Sequence, residues 1–182
     1  MKNRLYGFTL IELLVTMAIA SIVAALAVPS FRTLLVKRSV QAAAQTFVDD
    51  LRFTRSEALR RSTRVSMCSL ATNSTTTCSG AAGNWINGWL VFADVNGNGV
   101  VDAEDEVVRV QQPPANIGTM QQAVNPSNTR VKFTYEANGW SKAADVSLVL
   151  TPSGTVPANS TRLVCISLQG RPSLRVEGAS AC

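Results

Sequence analysis

The run from Phe8 to Val28 constrains the fold more than any other stretch of this chain. It is 21 residues long, and only Thr9, Glu12, Thr16 and Ser21 interrupt its apolar side chains. A helix rises about 1.5 Å per residue, so the run covers roughly the 30 Å of a bilayer core. One carboxylate in hydrocarbon costs on the order of 3 kcal/mol. The position of Glu12 therefore predicts a membrane-spanning helix whose acid meets a partner charge.

The residues before this run distinguish it from an ordinary secretory signal. Lys2 and Arg4 precede it without an acid, and the small residue Gly7 stands before the apolar region. A secretory signal is cut after its apolar region, so here that region would survive processing. The sequence K-N-R-L-Y-G-F-T-L-I-E-L-L-V resembles the class III leader and N-terminus of type IV pilins and type II secretion pseudopilins. A plain single-pass anchor, the alternative, would explain the run but not Glu12.

That resemblance implies a maturation pathway. A prepilin peptidase would cut between Gly7 and Phe8, remove residues 1–7 as a leader and N-methylate Phe8. The segment 8–28 would then be the transmembrane or filament-core helix. Since a buried charge is tolerable only when paired, we expect the Glu12 carboxylate to neutralise the amino terminus of a neighbouring subunit during filament assembly.

The remainder of the chain predicts an α+β fold. Apolar residues recur at three- and four-residue steps after Pro29, so an amphipathic helix over 29–63 is expected to continue the apolar helix. From residue 64 to residue 182, short alternating runs separated by Gly, Asn, Ser and Pro predict an antiparallel β-sheet head packed on that helix. The expected strands are Arg64–Leu70, Gly88–Ala93, Glu106–Val110, Arg130–Tyr135, Val146–Leu150, Arg162–Leu168 and Leu174–Val176. The aromatic residues expected in the head core are Trp85, Trp89, Phe92, Phe133 and Trp140.

A second motif narrows the resemblance. The segment G-W-L-V-F-A-D-V-N-G-N-G-V-V-D-A-E-D-E-V-V-R and a terminal cysteine are similar to those of GspH/FimT-type minor pilins and pseudopilins. The resemblance implies a structural subunit for the assembly or tip of a type IV pilus or a type II secretion pseudopilus. It also implies other pilin subunits as partners, a single pass through the bacterial inner membrane and a periplasmic head. The chain has no histidine, G-x-S-x-G elbow, P-loop or G-x-G-x-x-G, so no enzyme is predicted.

The acidic segment within that motif has the spacing of a calcium loop. Positions 1, 3, 5, 9 and 12 of a twelve-residue loop carry oxygen side chains, position 6 is Gly99, and position 7 would offer a carbonyl. The candidate ligands, with a carbonyl from Val100, are Asp94, Asn96, Asn98, Val100, Asp102 and Asp105. Position 12 is Asp and not the usual Glu, and Glu106 or Glu104 is the alternative ligand there. Two Asn-Gly pairs also favour a tight hairpin with an acidic, soluble tip. Ca²⁺ is the one cofactor expected, and the solvated hairpin is the alternative.

Four cysteines lie beyond the apolar run, in a part expected to face an oxidising compartment. Sequence alone allows three pairings, and the chain positions favour Cys68 with Cys78 and Cys165 with Cys182. Zinc is the weaker alternative, because the spacings are not C-x-x-C and histidine is absent.

A stretch near the C-terminus suggests a second function. Some minor pilins of this type bind DNA for natural transformation through arginines of a G-R-x-R stretch, and the corresponding stretch here is G-R-P-S-L-R, with two residues inserted. Arg171 and Arg175, joined by Arg162 on a neighbouring strand, are expected to share one face and meet phosphates. The alternative is a set of ordinary surface arginines.

Overall fold

The computed structural model describes residues 8–81, 84–123, 130–142, 146–167 and 169–176. The chain divides into two compact units, Met1–Leu35 and Val36–Cys182. Gly7 and Cys182, two of the predicted site residues, lie outside the described residues.

A single helix, α1, extends over Leu10–Arg61 and contributes to both units. In the first unit every described side chain from Leu10 to Val28 is exposed. In the second unit the helix turns an apolar stripe inward, because Val40, Ala44, Phe47 and Leu51 recur at steps of three and four and all are fully buried. The stripe ends with Ala58, one turn before the helix terminates.

Within the described residues, eight strands follow the helix and form two antiparallel sheets. The strands are β1 (Val65–Ser69), β2 (Trp89–Ala93), β3 (Glu106–Gln111), β4 (Ile117–Gln122), β5 (Lys132–Tyr135), β6 (Val146–Pro152), β7 (Arg162–Ile166) and β8 (Pro172–Val176). One sheet has the order β3-β2-β1-β5 and the other β4-β6-β7-β8. A short 3₁₀ helix, Asn84–Asn87, precedes β2.

The core lies between α1 and the two sheets. Phe47 stands at its centre, with its ring edge-on to Trp85 and Trp89 at centroid distances of 5.1 Å each and to Phe133 at 6.2 Å. Such edge-to-face pairs add to the free energy gained by burying the rings. Residues from both sheets complete the same cluster: Val65, Met67, Val91, Met120, Leu148, Leu150 and Val164.

The predicted fold class is confirmed: a long N-terminal helix packs on antiparallel sheets. Two details of the prediction were wrong. The strand β4 was not expected, because its sequence, I-G-T-M-Q-Q, lacks a clear alternation of apolar and polar residues. Trp140 is 56% exposed and does not belong to the core, unlike Trp85, Trp89, Phe92 and Phe133.

Candidate functional sites in the N-terminal helix and the head

The first turn of α1 has a capped N-terminus. Thr9 precedes the helix, and its Oγ1 accepts a hydrogen bond from the Glu12 backbone N–H at 3.3 Å. Thr9 and Glu12 have the spacing of a capping box, in which an acid at the third helical position also interacts favourably with the helix dipole. The T-x-x-E pattern was visible in the sequence and its capping role was missed.

The helix after this turn is long and apolar enough to cross a membrane. An 18-residue window of it has a mean hydropathy of 2.4 and is entirely unburied. Glu12 is the one charged residue among residues 8–28. Phe8, the predicted new N-terminus, is 85% exposed.

In the head, the acidic loop (residues 94–105) connects β2 to β3 and begins with a buried carboxylate. Asp94 has no exposed surface, and its Oδ2 accepts hydrogen bonds from Ser66 Oγ at 2.7 Å and from the Gly99 N–H at 3.0 Å. Its Oδ1 is also buried, and no described residue donates a hydrogen bond to it. Gly99 adopts a φ of +71°, which a side chain would strain, so the sharp bend predicted there requires glycine.

The other predicted ligands of the acidic loop satisfy one another. The side-chain amides of Asn96 and Asn98 both donate to Asp102 Oδ2, at 2.7 and 3.0 Å. The hydrogen bond from Asn96, and after it one from the Glu104 backbone, lowers the pKa of Asp102 below its ordinary value. Asp105 closes the loop, since its carboxylate oxygens accept from the Val95 and Asp102 N–H groups at 3.0 and 3.2 Å.

Two basic side chains lie at the acidic loop. Lys132 Nζ donates to the Asn98 carbonyl at 2.7 Å, and the Arg64 guanidinium lies against Gly97 while its Nε pairs with Glu136 at 3.0 Å. Within the described part of the chain, no three His, Cys, Asp or Glu side chains form a metal-binding group. A cation in this loop would therefore need asparagine and carbonyl oxygens in addition to carboxylates.

The disulfide prediction is confirmed for one pair. Cys68, in β1, is bonded to Cys78 and closes the polar loop that follows the strand. Cys165, in β7, is also disulfide-bonded. Its predicted partner, Cys182, lies outside the described residues, so the pairing of these two cysteines stays a prediction.

The predicted grouping of three arginines on one face was wrong. In the register of β7 and β8, Arg175 lies opposite Leu163 whereas Arg162 lies opposite Val176, so the two arginines occupy opposite faces of the sheet. Arg162 is on the helix side, where its guanidinium donates to Gln41 of α1 and to the carbonyls of Asn159 and Thr161.

Arg171 instead lies beside two arginines of the helix. It lines a cleft of about 340 Å³ together with Arg52, Arg55, Ser56, Leu59 and Pro172. Arg52 pairs with Asp49 at 3.1 Å, whereas Arg55 and Arg171 have no acidic partner among the described residues. The helical arginines escaped the sequence prediction because only the fold brings them to β8.

Two polar clusters that tie α1 to β3 were also missed. Asp50, which is 2% exposed, accepts hydrogen bonds from Arg109 Nη1 at 2.6 Å and from Trp89 Nε1 at 2.8 Å. Near the helix end, Arg61 joins Glu57 of its own helix to Glu106 of β3. The bonds from Arg60 and then from Arg61 lower the pKa of Glu57 to about 2.

Solved structures with the same arrangement are pilin subunits. The type IV minor pilin FimU of Pseudomonas aeruginosa matches with a TM-score of 0.54 at 17% identity, over 79% of this chain and 96% of that one. The minor pseudopilin EpsH of the Vibrio cholerae type 2 secretion system matches with a TM-score of 0.50 at 12% identity, over 77% and 98%. At these identities the likeness shows the fold, and that fold is of the pilin class.

The sequence places the chain within that class. Residues 43–170 match the model of the type II transport protein GspH, and residues 2–28 match the prokaryotic N-terminal methylation motif. The chain therefore belongs to the GspH family, whose members are minor pilins and pseudopilins. A search of curated protein sequences found no match.

Proposed function

We propose that this protein is a structural subunit incorporated into a type IV pilus or a type II secretion pseudopilus, at its initiating tip or along its length. The observation that carries the proposal is the first unit of the chain: an apolar, exposed helix whose one charged side chain over residues 8–28 is Glu12. Such a surface is stable only in a membrane or against other apolar helices.

Maturation prepares the helix for assembly. Prepilin peptidase cuts between Gly7 and Phe8 and methylates the Phe8 amino group, which leaves a positive charge at the end of an apolar helix. Until it assembles, the subunit stands in the inner membrane with its head in the periplasm. In the filament the Glu12 carboxylate of one subunit then pairs with the Phe8 amino terminus of its neighbour, so that neither charge is buried alone.

Glu12 also lies in the first turn of its own helix, and a capping role competes with the intersubunit role. The two roles are separable by a pair of variants. Thr9→Ala removes the hydrogen bond to the Glu12 N–H and keeps the carboxylate, whereas Glu12→Gln keeps a polar side chain of equal size and removes the charge.

Filaments sheared from cells that express each variant test the proposal. We expect Glu12→Gln to be processed and inserted into the membrane normally but to be strongly depleted from filaments. Thr9→Ala should be incorporated at close to the wild-type level. Equal incorporation of Glu12→Gln and wild type would refute the charge pairing, and equal depletion of both variants would assign Glu12 to capping alone.

The second candidate function is DNA binding for natural transformation. The cleft lined by Arg52, Arg55 and Arg171 favours it, because two of these guanidinium groups lack an acidic partner among the described residues and face a common space. Phosphate contacts by such groups predict an affinity for duplex DNA that falls steeply with salt.

Gel-shift titration of the detergent-solubilised chain at two salt concentrations tests this candidate. The double variant Arg55→Ala/Arg171→Ala should weaken binding and reduce the salt dependence, by roughly one unit of slope for each phosphate that is no longer neutralised. Arg130→Ala is the matched control, because Arg130 is an exposed arginine that precedes β5 and does not line the cleft. No binding at low salt, or equal weakening in the double variant and the control, would refute it.

A further inference from the structure

One oxygen of the buried carboxylate at the start of the acidic loop has no hydrogen-bond partner among the described residues. Asp94 has no exposed surface and receives two hydrogen bonds, both at Oδ2, while Oδ1 is shielded from solvent and meets no donor in the described part of the chain. A buried charge is costly unless every oxygen is hydrogen-bonded or bound to a cation. The Gly99 N–H belongs to the loop itself, so the Asp94 carboxylate lies directly beneath the loop.

Three further oxygen-bearing side chains converge within the same loop. Asp102 Oδ2 receives the side-chain amide N–H groups of both Asn96 and Asn98, so the side chains at positions 3, 5 and 9 of the loop meet. The Asn96 and Asn98 Oδ1 atoms accept the N–H groups of Asn98 and Val100 at 3.0 and 2.7 Å, which folds the loop back on itself. A cation between these side chains would replace the two amide donors as the partner of Asp102. The Val100 carbonyl at position 7 and Asp105 at position 12 complete the set that the spacing predicts.

The charge around the loop leaves a surplus of carboxylates. Residues 94–105 contain four of them, Asp94, Asp102, Glu104 and Asp105. The basic groups that face the loop are Lys132, which binds the Asn98 carbonyl, and Arg64, which is paired with Glu136. The neighbouring Glu106 forms an ion pair with Arg61, so it does not add to the excess negative charge of the loop.

We propose that the acidic loop binds one calcium ion through Asp94, Asn96, Asn98, Asp102, Asp105 and the Val100 carbonyl. The three carboxylates of this set do not form a metal-binding group in the loop as the structure describes it, so the loop closes around the ion when calcium binds. All these ligands are oxygens, and Ca²⁺ accepts six to eight of them in an adaptable geometry, whereas Mg²⁺ requires a stricter octahedron. The ion satisfies Asp94 Oδ1 and fixes the connection between β2 and β3. This calcium site is independent of the function proposed above, because it lies in the head, whereas the proposed function depends on the N-terminal helix.

Calcium-dependent thermal stability of the full chain in detergent tests the site. After chelation and removal of the chelator, CaCl₂ should raise the melting temperature in proportion to ln(1 + [Ca²⁺]/Kd), with a Kd on the order of 10⁻⁴–10⁻³ M, as in extracellular modules. At ten times Kd the rise should be roughly 3–6 °C. MgCl₂ and NaCl of equal ionic strength serve as controls, and neither should reproduce the rise.

Two matched variants distinguish the loss of a calcium ligand from the loss of a negative charge anywhere in the loop. Asp102→Asn removes a charged ligand and should weaken the apparent affinity at least about tenfold. Glu104→Gln removes the same charge from the same loop at a position that is not a ligand, and it should leave the affinity within about twofold, since an exposed charge acts weakly. Asn98→Ala, at an exposed ligand, provides a second test if Asp102→Asn does not fold.

Three results would overturn the site. They are the absence of a rise in melting temperature up to about 10 mM calcium, well above the affinity range of such loops, an equal rise with magnesium, or equal weakening in Asp102→Asn and Glu104→Gln. Any of these would assign the acidic loop to the solvated hairpin that its two Asn-Gly pairs alone would form.

Discussion

Replacing Arg109 by alanine should destabilise the head more than the removal of any other ion pair among the described residues. Arg109 Nη1 lies 2.6 Å from Asp50 Oδ1, and the carboxylate has one further partner, Trp89 Nε1 at 2.8 Å. Without Arg109, a carboxylate that is 2% exposed loses its cationic partner and retains the neutral donor Trp89 Nε1.

The expected loss of stability follows from the difference in burial between Asp50 and Arg109. Removing one partner of a buried pair typically costs about 3–5 kcal/mol. The Arg109 side chain is itself 44% exposed, so water can reach part of the vacated space. We therefore expect Arg109→Ala to lower the free energy of unfolding by about 3 kcal/mol, the lower end of that range. Adding Asp50→Asn to Arg109→Ala should restore roughly 1–2 kcal/mol, because a neutral amide costs less to bury and still accepts the Trp89 N–H.

Urea unfolding of a soluble version that begins at Val36, followed by tryptophan fluorescence, measures these changes as shifts of the midpoint at constant m. Arg52→Ala is the matched control, because Arg52 and Asp49 are both more than half exposed. Its cost should not exceed about 1 kcal/mol. If Arg109→Ala is as mild as the control, or if the double variant is no more stable than Arg109→Ala, the reasoning is wrong.

Two other features of the head give predictions. The pKa of Glu57 is lowered to about 2 in the folded protein. Its contribution to stability is therefore complete above the unfolded pKa near 4.5 and is lost as the pH falls from there through about 2. Over that pH range, the melting temperature of Glu57→Gln should fall less steeply than that of the wild type. An unchanged pH profile in that variant would contradict the assignment. Cys78→Ser opens a short loop and should cost about 3 kcal/mol on the chain-entropy model. Reduction of the wild type should have the same effect, and a variant as stable as the oxidised wild type would refute it. Peptide mapping without reduction should recover Cys165 linked to Cys182, and a free thiol at Cys182 would show that pairing wrong.

The sequence predicted the features that depend on local pattern. The apolar run and the three- and four-residue steps in α1 have the pattern of a helix, and the short apolar or alternating runs of β1, β2 and β7 are typical of buried strands. The Cys68–Cys78 pair was also predictable, because ten residues separate its members along the chain.

The features that escaped prediction depend on tertiary contacts. In β4, the register shifts between Ile117 and Thr119, and a side chain at Gly118 would come within 2.9 Å of the Pro152 carbonyl. Gly118 has a low strand propensity, so it makes β4 hard to predict from sequence, but its missing side chain allows β4 to approach β6. Arg162 and Arg175 were placed on one face because only spacing along each strand was considered, whereas the register between β7 and β8 decides the face.

The polar contacts of Asp50 show the same limit. Nothing near Asp50 in the sequence distinguishes it from Asp49, yet Asp49 is exposed and Asp50 lies under β2 and β3. The difference comes from the 100° step between successive residues of a helix, and from which face of α1 the sheets cover. Sequence periodicity identified the apolar stripe and gave no sign of the buried acid beside it.

The N-terminal peptide of the protein recovered from sheared filaments gives the most direct test of the central claim, that this chain is a processed filament subunit. Mass spectrometry should find a peptide that begins at Phe8 and carries one added methyl group at its amino terminus. Cells that lack the prepilin peptidase should yield only the chain that begins at Met1, in the membrane fraction. Two results would contradict the claim. One is that the protein is absent from the filaments of cells that make them, and the other is an N-terminus produced by cleavage after Val28.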